Sequence, residues 1–215
     1  MDGNRRYATL KGQKSSWGHQ RGLDATKELL RELRTTSITE LTLYAFSTEN
    51  WNRTKGEVQD LMKLFESGFT QIGEEVHTHK IRMRFIGQRE RFSKKIQTLM
   101  TELEKDTQKY KQYTLNICVS YGGRAEIVHA VNKLLKKGTK SVSEKSLRAH
   151  MWSDYMKDPD IVIRTGGEKR LSNFLLWQSA YSELFFTDTL WPAFTITELK
   201  KILADFEKRH RRMGK

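Results

Sequence analysis

Apolar residues along this chain form long stretches with helical spacing, separated by short continuous runs. From Val58 they fall at Leu61, Met62, Phe65, Phe69, Ile72 and Val76, a spacing that places them on one face of a helix of about five turns. Leu23, Leu29, Leu30 and Leu33 predict an earlier helix, Ile96, Leu99, Met100 and Leu103 a middle one, and Val128, Val131, Leu134 and Leu135 another. Thr195 with Glu198 makes a capping box ahead of Leu199, Ile202, Leu203 and Phe206, which predicts a last helix. Between them, apolar runs at 41–46, 81–86, 114–119, 161–163 and 174–177 predict strands.

Strand and helix alternate, so the expected fold is α/β, a mostly parallel central sheet flanked by helices. With only two prolines, Pro159 and Pro192, and no linker or repeat, the chain of 215 residues is expected to be a single domain, 1–215. In such folds ligands bind beyond the carboxyl ends of the strands, which directs attention to the residues after each run. Composition narrows the setting. The single cysteine, Cys118, cannot form an intrachain disulfide, and no charged-then-apolar leader opens the chain, so a cytoplasmic location is expected. The apolar runs fall far short of the roughly 18 residues that span a bilayer. A net charge of +13 points to nucleic acid, an anionic membrane surface or multiply charged small substrates, or else to solvated helix surface.

The polar loops carry the candidate chemistry. After the 41–46 run comes Ser47-Thr48-Glu49-Asn50-Trp51-Asn52-Arg53, which mixes hydroxyls, a carboxylate, amides and a guanidinium. After the 161–163 run comes Arg164-Thr165-Gly166-Gly167-Glu168-Lys169-Arg170-Leu171-Ser172, where glycines let the backbone approach an anion and two arginines can grip phosphate oxygens. By themselves Gly166 and Gly167 fit an ordinary tight turn better than an anion site. The opening Asp2-Gly3-Asn4-Arg5-Arg6 offers a carboxylate and two cations ahead of a helix start, or else a frayed basic terminus. His19 reads as a helix cap or a proton carrier, and His77 and His79 as helix-end residues without zinc-site spacing. The chain has no Gly-x-x-x-x-Gly-Lys-Ser/Thr loop, no Gly-x-Ser-x-Gly elbow, no paired-cysteine framework and no Asp-Asp-x-x-Asp cluster.

Taken in order, these segments resemble the cis-prenyltransferase family, most closely its undecaprenyl diphosphate synthase branch. The resemblance runs through Met1-Asp2-Gly3-Asn4-Arg5-Arg6-Tyr7-Ala8, Gly18-His19, Tyr44-Ala45-Phe46 with the 47–53 loop, Leu115-Asn116-Ile117 with Tyr121-Gly122-Gly123-Arg124, Ile163 to Glu168, and Arg170-Leu171-Ser172-Asn173-Phe174-Leu175-Leu176-Trp177-Gln178. It continues into Glu183-Leu184-Phe185-Phe186 and Leu190-Trp191-Pro192. It implies condensation of isopentenyl diphosphate with an allylic diphosphate, expected to be farnesyl diphosphate, to give a Z-polyprenyl diphosphate with magnesium as cofactor. By matching position, Asp2 is the magnesium-linked acid, and Gly3, Asn4, Arg6, Tyr7 and His19 surround the allylic diphosphate. Arg164, Arg170 and Ser172, with Leu171 between them, hold isopentenyl diphosphate. Glu183 is the second magnesium carboxylate, and Asn50 assists proton removal, directly or by positioning a water or the diphosphate. Ser47, Thr48, Glu49, Trp51 and Arg53 line its loop.

The resemblance further implies an apolar tunnel, with the 58–76 stripe, Ala45 and Phe46 as candidate wall or as ordinary core. It implies a homodimer, supported by Arg212-Met213-Gly214, and a peripheral membrane contact for product release. Two departures stand out. The strand that family members run into the Met-Asp-Gly-Asn segment is missing, as in a fragment or a mis-assigned start, so the sheet is expected to lack a central strand and Asp2 to lie on an untethered terminus. Ser15 stands where bacterial members usually place an arginine, a loss for which Arg5 is placed to compensate. The rival readings are a non-catalytic subunit of a prenyltransferase complex, against which Asp2, Asn50, Arg164 and Glu183 argue, and a basic nucleic-acid binder, for which no recognition motif is present.

Overall fold

The computed structural model describes residues 1–209. The elements run α1 (Asn4–Leu10), α2 (Ser15–Glu32), β1 (Glu40–Tyr44), α3 (Lys55–Thr78), β2 (Ile81–Ile86), α4 (Lys94–Thr107), β3 (Tyr113–Cys118), α5 (Gly123–Lys136), α6 (Glu144–Arg148), β4 (Ile161–Arg164), β5 (Glu183–Phe186) and α7 (Ile196–Glu207). The expected α/β class holds. Helix α3 starts where Thr54 and Glu57 cap each other reciprocally, satisfying amide groups that the first turn leaves unpaired. Its apolar face, Leu61, Phe65, Phe69, Ile72 and Val76, is buried in one cluster with Met83, Phe85, Leu115 and Ile117 of the sheet. Each such side chain contributes about 1.5–3 kcal/mol by leaving water. This stripe is core; only Leu61 of it also reaches the large cavity described below.

The parallel strands form two sheets rather than one. The first has the order β1-β3-β2, with Leu43 and Phe85 both opposite Ile117; the second pairs β4 with β5, Ile161 opposite Glu183 and Arg164 opposite Phe186. Among the described residues β1 and β4 are each at a sheet edge, and both line the same cavity of about 610 Å³. The two sheets thus face the cavity from either side, through β1 and β4.

Three local expectations change. The 174–177 run is a series of turns, because Ser172, Asn173 and Leu175 take left-handed φ angles of 47°, 67° and 44°, which no strand accommodates. Its apolar character serves burial instead, with Leu175 packed in a cluster with Cys118 and Tyr121. The strand lies at Glu183–Phe186. Helix α5 forms, but Val128 and Leu135 are exposed while Glu126, Ala130 and Leu134 are buried. Before α7 only half of the capping box is made: Thr195 Oγ1 accepts from the Glu198 amide, while the Glu198 carboxylate accepts from the Thr187 hydroxyl at 2.5 Å. No helix among the described residues is long and apolar enough to cross a membrane.

Candidate functional site

Helix α1 owes its place to two glycines one turn apart on α2. A Cβ on Gly18 would lie 2.1 Å from the Asn4 carbonyl oxygen, and one on Gly22 2.1 Å from the Asn4 side-chain oxygen, so only glycine lets the two backbones approach this closely. Gly3, at φ 109°, turns the chain into α1. Ahead of it, Asp2 is pinned at both main-chain ends. Its amide donates to Thr165 Oγ1 at 2.9 Å, and its carbonyl accepts from the Thr165 hydroxyl and the Trp191 amide, each at 2.9 Å. The expected untethered terminus is therefore corrected: Thr165, which the sequence reading passed over inside its own motif, supplies the tether, and Trp191 completes it.

Arg164 is the hub. Its Nη2 donates to Asp2 Oδ2 at 2.9 Å, and its Nη1 to the Arg170 carbonyl at 2.5 Å and to Ser172 Oγ at 2.7 Å. Arg6 approaches the other Asp2 oxygen at 3.4 Å. Burial by itself would raise the Asp2 carboxyl, but the Arg164 hydrogen bond and charge, then the Arg6 charge, outweigh it and hold the group below the ordinary carboxylate value. Gly166 and Gly167 do not offer their amides to an anion, since these donate to the Thr189 and Thr187 carbonyls at 2.9 and 2.8 Å. The turn instead makes room: a Cβ on Gly166 would lie 2.6 Å from Arg6 Nη2. The Arg170 side chain turns to Glu168.

The 47–53 loop stands across the cavity. Asn50 Oδ1 accepts from the Ser47 amide at 3.1 Å, so its amide oxygen is already engaged. Trp51 is an anchor, its Nε1 donating to Ser120 Oγ at 2.9 Å and its ring packed on Phe46 and Phe92. Glu49 accepts from Asn173 Nδ2 at 2.7 Å, which ties this loop to the one carrying Ser172; Thr48 donates its hydroxyl to Glu49 at 3.1 Å. Burial, then the Arg53 and Arg5 charges, hold His19 down to about 4, so it is a neutral imidazole at pH 7. Burial and then the Arg5 charge also lower Arg53.

The cavity thus gathers Asp2, Asn4, His19, Ser47, Asn50, Arg53, Arg164, Arg170, Leu171 and Ser172, while Leu29, Leu41, Leu43, Trp191, Phe194 and Leu199 form its apolar part. Gly3, Arg5, Arg6, Tyr7, Thr48, Glu49 and Trp51 are not part of that lining: Arg5 pairs with Glu57 at 3.1 Å, and Tyr7 stacks on Trp17. Glu183 is not brought to Asp2 in this chain. It opens β5 opposite Ile161, three strand positions from the pair that holds Arg164, about 10 Å along the strand, and it accepts from Arg209 at 2.5 Å. Arg212, Met213 and Gly214 lie outside the described residues. No group of three or more His, Cys, Asp or Glu side chains among the described residues is arranged to hold a metal. A lone carboxylate suits magnesium only where substrate oxygens and waters complete the octahedron. Asp2 would meet that condition with a diphosphate bound beside it, against the Arg164, Arg6 and Arg53 guanidinium groups.

Comparisons with known proteins bear on the chain as a whole. The family model for putative undecaprenyl diphosphate synthases matches residues 1–214. An isoprenyl transferase of Aquifex aeolicus is 43% identical over 215 residues, covering all of this chain and 93% of that protein. A tritrans,polycis-undecaprenyl-diphosphate synthase (geranylgeranyl-diphosphate specific) of Pyrococcus horikoshii is 45% identical over 224 residues, covering all of this chain and 84% of that protein. Among solved structures, lavandulyl diphosphate synthase from Lavandula x intermedia in complex with dimethylallyl diphosphate superposes with a TM-score of 0.94 at 32% identity, covering all of this chain and 95% of that one. The chain belongs to the undecaprenyl diphosphate synthase family of prenyltransferases.

Proposed function

We propose, with that membership as premise, that the protein condenses isopentenyl diphosphate with an allylic diphosphate, using farnesyl diphosphate as primer and building a Z-polyprenyl diphosphate. The observation that carries this reading is the Asp2–Arg164–Ser172 cluster in a cavity that also has an apolar wall of Leu29, Leu41, Leu43, Trp191, Phe194 and Leu199, with charged residues such as Glu40 and Lys157 elsewhere in its lining; a diphosphate head needs the first and a hydrocarbon tail the second. In the reaction the allylic carbon–oxygen bond breaks and its electron pair leaves with the diphosphate. The isopentenyl double bond attacks the allylic cation, and a proton departs from the carbon next to the new cationic centre. Arg53 and Arg6 stand close enough to the cluster to stabilise the leaving charge, which a site shut off from water makes more effective. Neutral His19 adds no charge of its own and serves as a hydrogen-bonding wall. With its oxygen engaged, Asn50 suits the orientation of a water or a diphosphate oxygen better than direct proton abstraction.

Magnesium, when bound, would neutralise diphosphate charge, with Asp2 as its protein ligand once the carboxylate exchanges Arg164 for the metal. Glu183 joins that site only if it is supplied from elsewhere, for which a homodimer is the economical source. Tyr181 and Leu184, 76% and 37% exposed around β5, give such a dimer an apolar face. The Pyrococcus horikoshii relative is described as geranylgeranyl-diphosphate specific and the lavender structure holds dimethylallyl diphosphate, so both belong beside farnesyl diphosphate in a primer test.

The test is extension of labelled isopentenyl diphosphate by purified protein with magnesium, offering dimethylallyl, farnesyl and geranylgeranyl diphosphates separately. Z-configured products are expected, their yield collapsing with a chelator, and Asp2→Ala should reduce turnover by about 10²–10³-fold. A folded protein that extends none of the three primers would refute the enzyme reading. Activity appearing only on addition of a homologous active subunit would instead identify a non-catalytic partner.

A further inference from the structure

A buried carboxylate that the proposed chemistry does not use lies behind the 47–53 loop. Glu126, in the first turn of α5, is fully buried. Its Oε2 accepts from the Tyr121 hydroxyl at 2.6 Å and from Gln178 Nε2 at 2.7 Å, and its Oε1 from the Ser153 amide at 2.9 Å. Gln178 Nε2 also donates to Ser153 Oγ at 2.6 Å. All of these donors are neutral. Such a group is costly to bury, and its removal leaves several donors unsatisfied at once. Burial, and next the Glu126 carboxylate, push the Tyr121 phenol far above its ordinary value, so it remains a donor.

What Tyr121 does with its main chain gives this network a function. Its amide donates to the Phe46 carbonyl at 3.1 Å, and its carbonyl accepts from the Thr48 amide at 2.9 Å and the Tyr44 hydroxyl at 3.0 Å. One residue earlier, Ser120, at a left-handed φ of 46°, accepts from the Trp51 indole at 2.9 Å. Residues 120 and 121 therefore grip the loop on both sides of Asn50. We infer that Glu126 is a positioning residue: by clamping the Tyr121 phenol it fixes the ring and main chain of Tyr121 and, through them, the loop that carries Asn50. The alternative, a polar contact that only stabilises the core, makes no demand on the loop. The inference rests on the proposed function for its kinetic consequences and on geometry alone for its structural ones.

The experiment pairs two readouts on Glu126→Gln, Tyr121→Phe and the double variant. Hydrogen exchange by mass spectrometry follows the peptide covering 47–53, and steady-state turnover is compared with direct titration of farnesyl diphosphate in the absence of isopentenyl diphosphate. Glu126→Gln keeps the volume but aims an amide N–H at a donor. The 47–53 amides are expected to exchange about tenfold faster and turnover to fall tenfold or more, while allylic affinity stays within about twofold. The double variant should lose no more than the worse single one, because both act through one contact. Parent-like exchange at 47–53, losses that multiply in the double variant, or allylic affinity falling in step with turnover would overturn the inference. If Glu126→Gln does not fold, Tyr121→Phe decides alone by the same loop exchange. A parent protein inactive with every primer refutes the function reading, and the exchange readout still decides this one.

Discussion

The half of the molecule built on β1, β3 and β2 and the half built on β4 and β5 hold themselves together by different means. In the first, Phe46, Phe65, Phe69, Phe85 and Phe92 interlock with ring centroids 4.8 to 6.2 Å apart in a continuous apolar cluster. In the second, polar contacts join distant segments beside smaller apolar clusters such as Leu175 with Cys118 and Tyr121: Thr165 to Asp2, Arg164 to Asp2 and Ser172, Asn173 to Glu49. The cavity lies along the boundary, between the edges of β1 and β4. The first half supplies the larger apolar core and also carries the Asn50 loop, whereas the second binds Asp2 through Arg164 and Thr165.

The largest effect expected from this contrast is at Phe69, 3% exposed and in contact with Phe65 and Phe85. Phe69→Ala should lower unfolding free energy by about 3–5 kcal/mol, measured by denaturant titration, with turnover per folded molecule nearly unchanged. A matching collapse of turnover well below the melting temperature would break the division between halves. Thr165→Val should do the reverse. Losing both hydrogen bonds to Asp2 should cost about 1–3 kcal/mol locally, seen as faster exchange around residues 1–3 and about tenfold lower turnover, with a much smaller change in global stability than Phe69→Ala.

The smallest effect is a pH slope. His19 titrates at about 4 when folded against 6.5 for the free side chain, so between these values the unfolded chain binds more protons. Stability therefore falls as pH drops from 6.5 toward 4, by at most about 1.4 kcal/mol per pH unit from this group. His19→Gln should flatten that slope in unfolding titrations at pH 7 and pH 5. An unchanged slope would mean that neither burial nor the Arg53 and Arg5 charges lower the imidazole in the folded protein.

Periodicity placed the five long helices and four of the strands, since a helix face or a strand run is a local pattern that local sequence carries. It failed at 174–177 because an apolar run records burial, not backbone conformation, and Leu175 is buried from a left-handed turn. It also misjudged the α5 face, where Glu126 took an inward position that hydrophobicity would assign to Val128. The candidate residues were legible by type and order, and the structure brings Asp2, Asn50, Arg164 and Ser172 to one cavity.

By itself, then, the sequence determined the order of elements, the α/β class and the set of candidate residues for a diphosphate. Only the tertiary structure decided that Thr165 pins Asp2 across 163 positions of chain, that Glu183 faces Arg209 instead of Asp2, and that Tyr121 props the Asn50 loop. Helical and strand periods repeat within a few residues, whereas a hydrogen bond between remote segments leaves no period in either of them and exists only once the core has fixed their separation.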